Sequence, residues 1–155
     1  MPRLAFSMFY LLLLTSTAIA ADPLSIRIDN EQFQGNWLII VSRQNGMIIY
    51  GVKIDEGACE ALIKYGPDEK INESTLRRCE IPGYAGDRQL AGGYMDMNCW
   101  HRGWQIDIGE RLDVAMADPN KPFLEWSGFF PNPCDREIVS IEILTNKGLF
   151  SYAPN

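Results

Sequence analysis

The stretch from Trp37 to Ile54, WLIIVSRQNGMIIYGVKI, constrains the fold of this chain more than any other. Two runs rich in β-branched residues flank Asn45-Gly46, and such runs pack well on a pleated surface. Asn-Gly between them predicts a type I′ hairpin turn, with both turn residues at positive φ. That turn sets Gln44 opposite Met47, followed by Arg43–Ile48, Val41–Tyr50, Ile39–Val52 and Trp37–Ile54. In this register Trp37, Ile39, Val41, Ile48, Tyr50, Val52 and Ile54 share one face, the expected core face. The other face is more mixed: Leu38, Ile40, Ser42, Gln44, Met47, Ile49, Gly51 and Lys53. A one-residue slip would exchange the two sets, so the pattern specifies the register.

Further along, Asp55 to Gly66 is the best helix candidate. Asp55 is placed to cap free amides, Cys59, Leu62 and Ile63 fall on one face, and Gly66-Pro67 stops it. A strand through Ala61–Tyr65 competes with that reading. Tyr94–Cys99 and Trp104–Ile108 read as strands around a turn at Trp100-His101-Arg102-Gly103. Leu112, Val114 and Met116 alternate with Arg111, Asp113 and Ala115. Phe123–Phe130 is an aromatic-rich strand candidate between prolines, and Ile138–Thr145 faces Leu149–Tyr152 across Asn146-Lys147-Gly148. Short strands separated by Gly, Pro and Asn turns predict a mainly β fold, a single-domain β-sandwich or barrel with one short helix.

The first twenty residues describe a destination. Arg3 precedes an apolar run from Leu4 to Leu14, and Ala18-Ile19-Ala20 is a small-x-small cleavage pattern, together a secretory signal peptide. The run is shorter than the roughly 20 residues a span requires, and no transmembrane segment is expected downstream. The domain then occupies residues 21–155, secreted or periplasmic. In an oxidising compartment Cys59, Cys79, Cys99 and Cys134 are expected to form two disulfides. Four cysteines allow three connectivities; Cys59–Cys79 with Cys99–Cys134 is the expected one, tying the helix candidate to the next segment and the two β-rich stretches to each other.

Charge narrows the partners. The chain carries 14 Lys+Arg against 20 Asp+Glu, a net −6 that becomes −7 once Arg3 is removed with the signal. Phosphate backbones need a basic stripe, so nucleic acid is not an expected partner. Simple charge-driven adhesion to anionic lipid is disfavoured for the same reason.

Catalytic patterns are sparse. His101 is the one histidine, so sites needing two imidazoles are excluded, and no Cys-x-x-Cys replaces them; no metal and no cofactor is expected. There is no Gly-x-Ser-x-Gly elbow to support a triad around His101. Glycoside hydrolysis needs only two carboxyls ~5–10 Å apart, and Asp96 with Asp107, or Glu56 with Glu60, are the candidate pairs. Asp118-Pro119-Asn120 and Asp68-Glu69 lack the spacing of a calcium loop and read as turns. Gly92-Gly93 and Gly83-x-x-Gly86 lack the features of a phosphate loop. Asn72-Glu73-Ser74 fits a glycosylation acceptor and predicts a surface loop.

Aromatic residues are the remaining asset. Tyr94, Trp100, Trp104, Trp126, Phe129 and Phe130 crowd the second half, several beside turns. Trp100, His101, Arg102 and Trp104 in one turn would make an aromatic–cationic tip, with Phe129 and Phe130 as a second binding element. Core filling is the other role open to these rings. The expected function is a non-enzymatic secreted recognition domain that binds a glycan, a lipid headgroup or a partner protein. A carboxylate-based hydrolase is one alternative. Two resemblances bear on the others. Gly35-Asn36-Trp37 resembles the Gly-x-Trp start of lipocalins, which implies a barrel carrying a small apolar ligand around Trp37, Tyr50 and Ile54. Ala91-Gly92-Gly93-Tyr94 before a strand, with an aromatic tip, is similar to the aegerolysin and actinoporin toxins, which implies membrane binding.

Overall fold

A computed structural model describes residues 22–30, 36–67, 69 and 71–154. The signal peptide, Gly35 and Asp68 lie outside the described residues. The chain runs through β1 (Leu24–Asp29), β2 (Asn36–Ser42), β3 (Met47–Ile54), β4 (Glu60–Tyr65), α1 (Glu73–Cys79), α2 (Arg88–Ala91), β5 (Gly93–Asp96), β6 (Trp104–Ile106), β7 (Arg111–Ala117), β8 (Ile141–Thr145) and β9 (Gly148–Tyr152). The strands form two antiparallel sheets, ordered β1-β2-β7-β4-β5 and β6-β3-β8-β9. The fold is mainly β and sandwich-like, with two short helices and two disulfides.

The strands around Asn45-Gly46 do not pair with each other. β2 pairs with β1 and β7 in the first sheet, whereas β3 pairs with β6 and β8 in the second. The connection is an arch between sheets, and only Gly46 adopts the left-handed region, at φ 64. Neighbouring loop groups take up the arch instead of a facing strand. Gly46 N–H donates to Asp107 Oδ1 at 2.7 Å, and Asn45 Oδ1 accepts from Ile108 N–H at 3.2 Å. Residues 107–110 form the parallel arch from β6 to β7, so two crossings stack at one end of the sandwich.

The inner faces also differ from the expected register. Leu38 and Ile40 point into the main core with Met47, Ile49, Val52 and Ile54, all at 0–1 % exposure. Trp37 belongs to a second cluster on the outer face of the first sheet, with Leu62, Ile81, Tyr94, Ala115, Ala117 and Phe123. The inward set in β3 changes parity because the register with β8 shifts between Ile49 and Gly51. A bulge adds one residue to one strand and swaps which side chains face inward.

Residues 55–66 are not a helix. Asp55–Gly57 makes a single 3₁₀ turn in which Asp55 and Glu56 sit at φ 46 and 57, and Glu60–Tyr65 is a strand between β7 and β5. Ala61, Leu62 and Ile63 are buried in succession, which a sheet covered on both faces satisfies and an amphipathic helix does not. The helices form where caps exist. Asn72 Oδ1 accepts from Thr75 N–H to start α1, and Asp87 Oδ1 accepts from Gln89 N–H to start α2.

Phe123–Phe130 is a loop excursion, not a strand. Its ladder is limited to the bridges Ala117↔Pro133 and Phe123↔Pro131. Prolines at 119, 122, 131 and 133 lack the N–H a ladder needs. The hairpin at Asn146 forms, with Thr145 opposite Gly148 and Ile141 opposite Tyr152, but its turn is the two residues Asn146-Lys147 and Gly148 already belongs to β9.

Connectivity of the cysteines is Cys59–Cys134 and Cys79–Cys99, different from the expected pairing. Strand order explains the first bond: Glu60 lies opposite Ala117, and Ala117 bridges Pro133, which brings the two neighbouring cysteines together. The second follows from the Glu80↔Met95 bridge, which holds the end of α1 beside the 97–99 turn.

Candidate functional site

A cleft of about 490 Å³ opens where β4 and β7 part. Their ladder runs from Glu60↔Ala117 to Ile63↔Val114 and stops there. Beyond it, Lys64 and Tyr65 continue only with β5, so the start of β7 is left without a partner on that side. The volume falls within the range of small-molecule sites. Ile63, Leu112 and Trp104, which belong to or pack on the main core, line its inner part. Trp37 and Tyr94 contribute from the outer cluster, and Phe130 reaches in from the proline-bounded loop. Lys64, Glu69, Arg111 and Asp113 supply the polar lining.

The electrostatics of this lining are largely settled within the protein. Arg111 donates to both carboxylate oxygens of Asp113, at 2.8 and 2.6 Å, which fixes the pair in a planar fork. Burial, with a smaller contribution from Tyr84, pushes the Tyr94 phenol up to about 12, so it remains a neutral donor at physiological pH. Burial raises the Glu69 carboxyl, partly offset by a backbone hydrogen bond from Gly66. Two donors are not settled. Nε1 of Trp37 and Nε1 of Trp104 are buried and meet no acceptor among the described residues. Buried N–H groups almost always find a partner, and one left alone costs about 1–3 kcal/mol.

Beside the cleft stands the loop 118–133. Leu124 N–H donates to the Phe130 carbonyl at 3.0 Å, and Ser127 and Gly128 N–H both return to the Leu124 carbonyl, making a tight tip. Phe123 anchors the base in an aromatic cluster with Tyr84 and Tyr94, at centroid distances of 5.5 and 5.7 Å. The tip carries Trp126 with 70 % of its surface exposed, together with the exposed Phe129 and Phe130. Trp126 and Phe130 lie 6.1 Å apart, and Phe129 meets Tyr84 edge-on at 6.3 Å.

The residues expected from sequence to bind are therefore distributed over three places. Trp104 and Phe130 meet in the cleft. Trp100, His101 and Arg102 line a separate cavity of about 200 Å³ with residues of α1. Phe129 sits on the loop tip. Trp100 and Trp104 are half-buried and packed on the core, 6.1 Å apart, and Trp100 Nε1 donates to the Gly103 carbonyl of its own turn. His101 and Arg102 are the exposed members of that turn. Lys64 escaped the sequence reading as a site residue, and Trp37 entered it only through the lipocalin-like cavity with Tyr50 and Ile54, neither of which lines this cleft. The signal for Trp37 was the unbroken apolar run Trp37–Val41, which marks burial on both faces of β2.

The carboxylate pairs proposed from sequence are arranged differently. Asp96 caps the 97–99 turn by accepting from Asn98 N–H, and Asp107 is engaged by Gly46 N–H at the other sheet. Glu56 is exposed on the strained turn after β3. Glu60 instead has its carboxyl raised by burial, then by Asp96 and Asp118. Asp118 itself accepts from Asn120 N–H, the expected turn. Among the described residues no cluster of three or more His, Cys, Asp or Glu is arranged to hold a metal, and no helix is long and apolar enough to cross a membrane.

The lipocalin-like start and the toxin-like Gly-Gly-Tyr segment have no counterpart at the level of the whole chain. Comparison with family models, with characterised proteins and with solved structures finds no match.

Proposed function

We propose that this chain is an exported, non-enzymatic recognition domain that binds a neutral glycan in the cleft between β4 and β7. The aromatic rings that line one cleft beside fixed polar groups, Trp37, Tyr94, Trp104 and Phe130, carry this reading. A sugar offers apolar C–H faces for the rings of Trp37, Trp104 and Phe130 and hydroxyls for the polar lining. The Arg111–Asp113 fork adds fixed polar edges that orient a ligand without leaving a net charge. Export rests on residues 1–20, with the mature chain starting at Ala21 or Asp22, which the intact mass of exported protein checks. Two disulfides agree with an oxidising destination.

Intrinsic tryptophan fluorescence tests the binding directly. Titration with neutral oligosaccharides should give a saturable change. Phe130→Ala, which removes an exposed ring from the cleft, should weaken binding by about tenfold while the protein stays folded. A saturable response to phosphocholine vesicles and none to any neutral oligosaccharide would transfer the site to lipid headgroups and overturn the glycan reading.

A further inference from the structure

The cavity between α1 and the Trp100–Gly103 turn has a lining unlike the rest of this acidic molecule. It is bounded by Asn72, Thr75, Arg78, Trp100, His101 and Arg102, with no Asp or Glu among them. Every other arginine of the described residues is occupied: Arg27, Arg77, Arg88, Arg111 and Arg136 make ion pairs, and Arg43 donates to the Asp22 carbonyl. Arg78 and Arg102 make no ion pair with any described residue, and both converge here. Arg77, one residue away, shows the contrast, because Glu73 on the same helix takes it.

The remaining polar atoms are also biased towards donation. The Asn72 carboxamide oxygen already accepts from Thr75 N–H at 2.8 Å and from the Ser74 hydroxyl at 2.7 Å, which leaves its NH₂ to face a ligand. Imidazole keeps at least one N–H in either tautomer, and the Thr75 hydroxyl can donate. Trp100 has spent its N–H on Gly103 and contributes only an apolar wall. The Cys79–Cys99 bond locks the arrangement, since Arg78 precedes one cysteine and Trp100-His101-Arg102 follows the other.

We propose that this cavity binds a tetrahedral oxyanion, the sulfate or phosphate of a monoester. Two guanidinium groups with three further donors exceed what the two oxygens of a carboxylate accept from one side, and they suit three or four oxygens spread in space. The chain's overall negative charge gives no general attraction for anions, so any saturable binding must come from this local constellation. The inference stands independently of the glycan cleft, since neither cavity's lining includes a residue of the other.

The test is amide NMR of the purified protein titrated with sodium sulfate against sodium chloride at matched ionic strength. Saturable shifts should appear at residues 72–78 and 100–103. Arg78→Gln and Arg102→Gln should each weaken them by about tenfold or more, while Arg77→Gln leaves them unchanged. Both weakened variants carry exposed side chains and should keep the parent melting temperature. Glucose 6-sulfate and glucose 6-phosphate then decide which ester is preferred. Shifts no larger than those from chloride, equal loss in Arg77→Gln, or equal binding of unsubstituted glucose would each overturn the proposal.

Discussion

Asn98 uses its side-chain amide as a strand would use its backbone, donating to the Val52 carbonyl and accepting from Val52 N–H, both at 3.0 Å. The need arises because β6 follows β3 only as far as Ile49, where the bulge begins. Gly51 is the residue that admits the amide, since a Cβ there would stand 2.7 Å from Asn98 Oδ1. Asn98→Leu should therefore cost about 1–3 kcal/mol in urea unfolding, the penalty for orphaning both groups of Val52. Gly51→Ala should destabilise the parent and be milder in Asn98→Ala, a non-additivity that marks the contact. Glu60 makes a second prediction at this scale. Its folded-state carboxyl is raised by burial, Asp96 and Asp118, so the folded protein holds a proton that the unfolded chain has released, and stability falls as pH rises through that interval. One of its oxygens is buried without a partner. Glu60→Gln should then raise the unfolding free energy at pH 7, by less than about 1 kcal/mol after solvent screening, and lose that advantage at pH 4 in urea unfolding.

Among the elements, the strands were legible, but apart from the β8–β9 hairpin their partners were not. β-branched runs and turn residues located β2, β3, β7, β8 and β9 to within a few residues, because local sterics alone favour extension there. An Asn-Gly turn, however, serves a hairpin or an arch, and the choice depends on which sheet edges are available elsewhere in the chain. Apolar side chains on both sides of β2, from Leu38 to Ile40, carried the information that this strand is covered twice. Helix formation at Asp55 failed for a related reason: Ala61–Ile63 had two faces to bury, and Asp55 spends its carboxylate on Val139 and Ser140 N–H, both at 2.8 Å. Aromatics in the 118–133 excursion divide by depth, which no local pattern shows. Phe123, 6 % exposed, should cost about 3–5 kcal/mol on truncation to alanine, whereas Trp126→Ala should leave the thermal melt almost unmoved. A large loss from Trp126→Ala would mean that the tip is folded into the core and unavailable as a contact surface.

At the scale of the molecule, each disulfide secures one of the two candidate sites. Cys59–Cys134 joins the start of β4 to the end of the loop that carries Phe130 into the cleft, and Cys79–Cys99 joins α1 to the Trp100 turn. Spacing in the sequence could not choose among the three pairings, because the choice follows from strand order, which sets β4 beside β7. The loops they close differ in length, with separations of 75 and 20 residues. Loop-closure entropy then gives about 4.5 kcal/mol for the longer bond and about 3.3 kcal/mol for the shorter. Replacing Cys59 and Cys134 by serine should lower the melting temperature more than replacing Cys79 and Cys99. The functional consequences should run the other way for the oxyanion cavity. Serine at 79 and 99 unhooks Arg78 from Arg102 and should abolish the sulfate-dependent shifts in a protein that still melts cooperatively. Serine at 59 and 134 should leave those shifts intact while loosening the loop that carries Phe130. If the 79–99 variant keeps the shifts of the parent, the cavity does not depend on the bond that positions it, and α1 must be held against the turn by packing of Leu76 and Trp100 on the core alone.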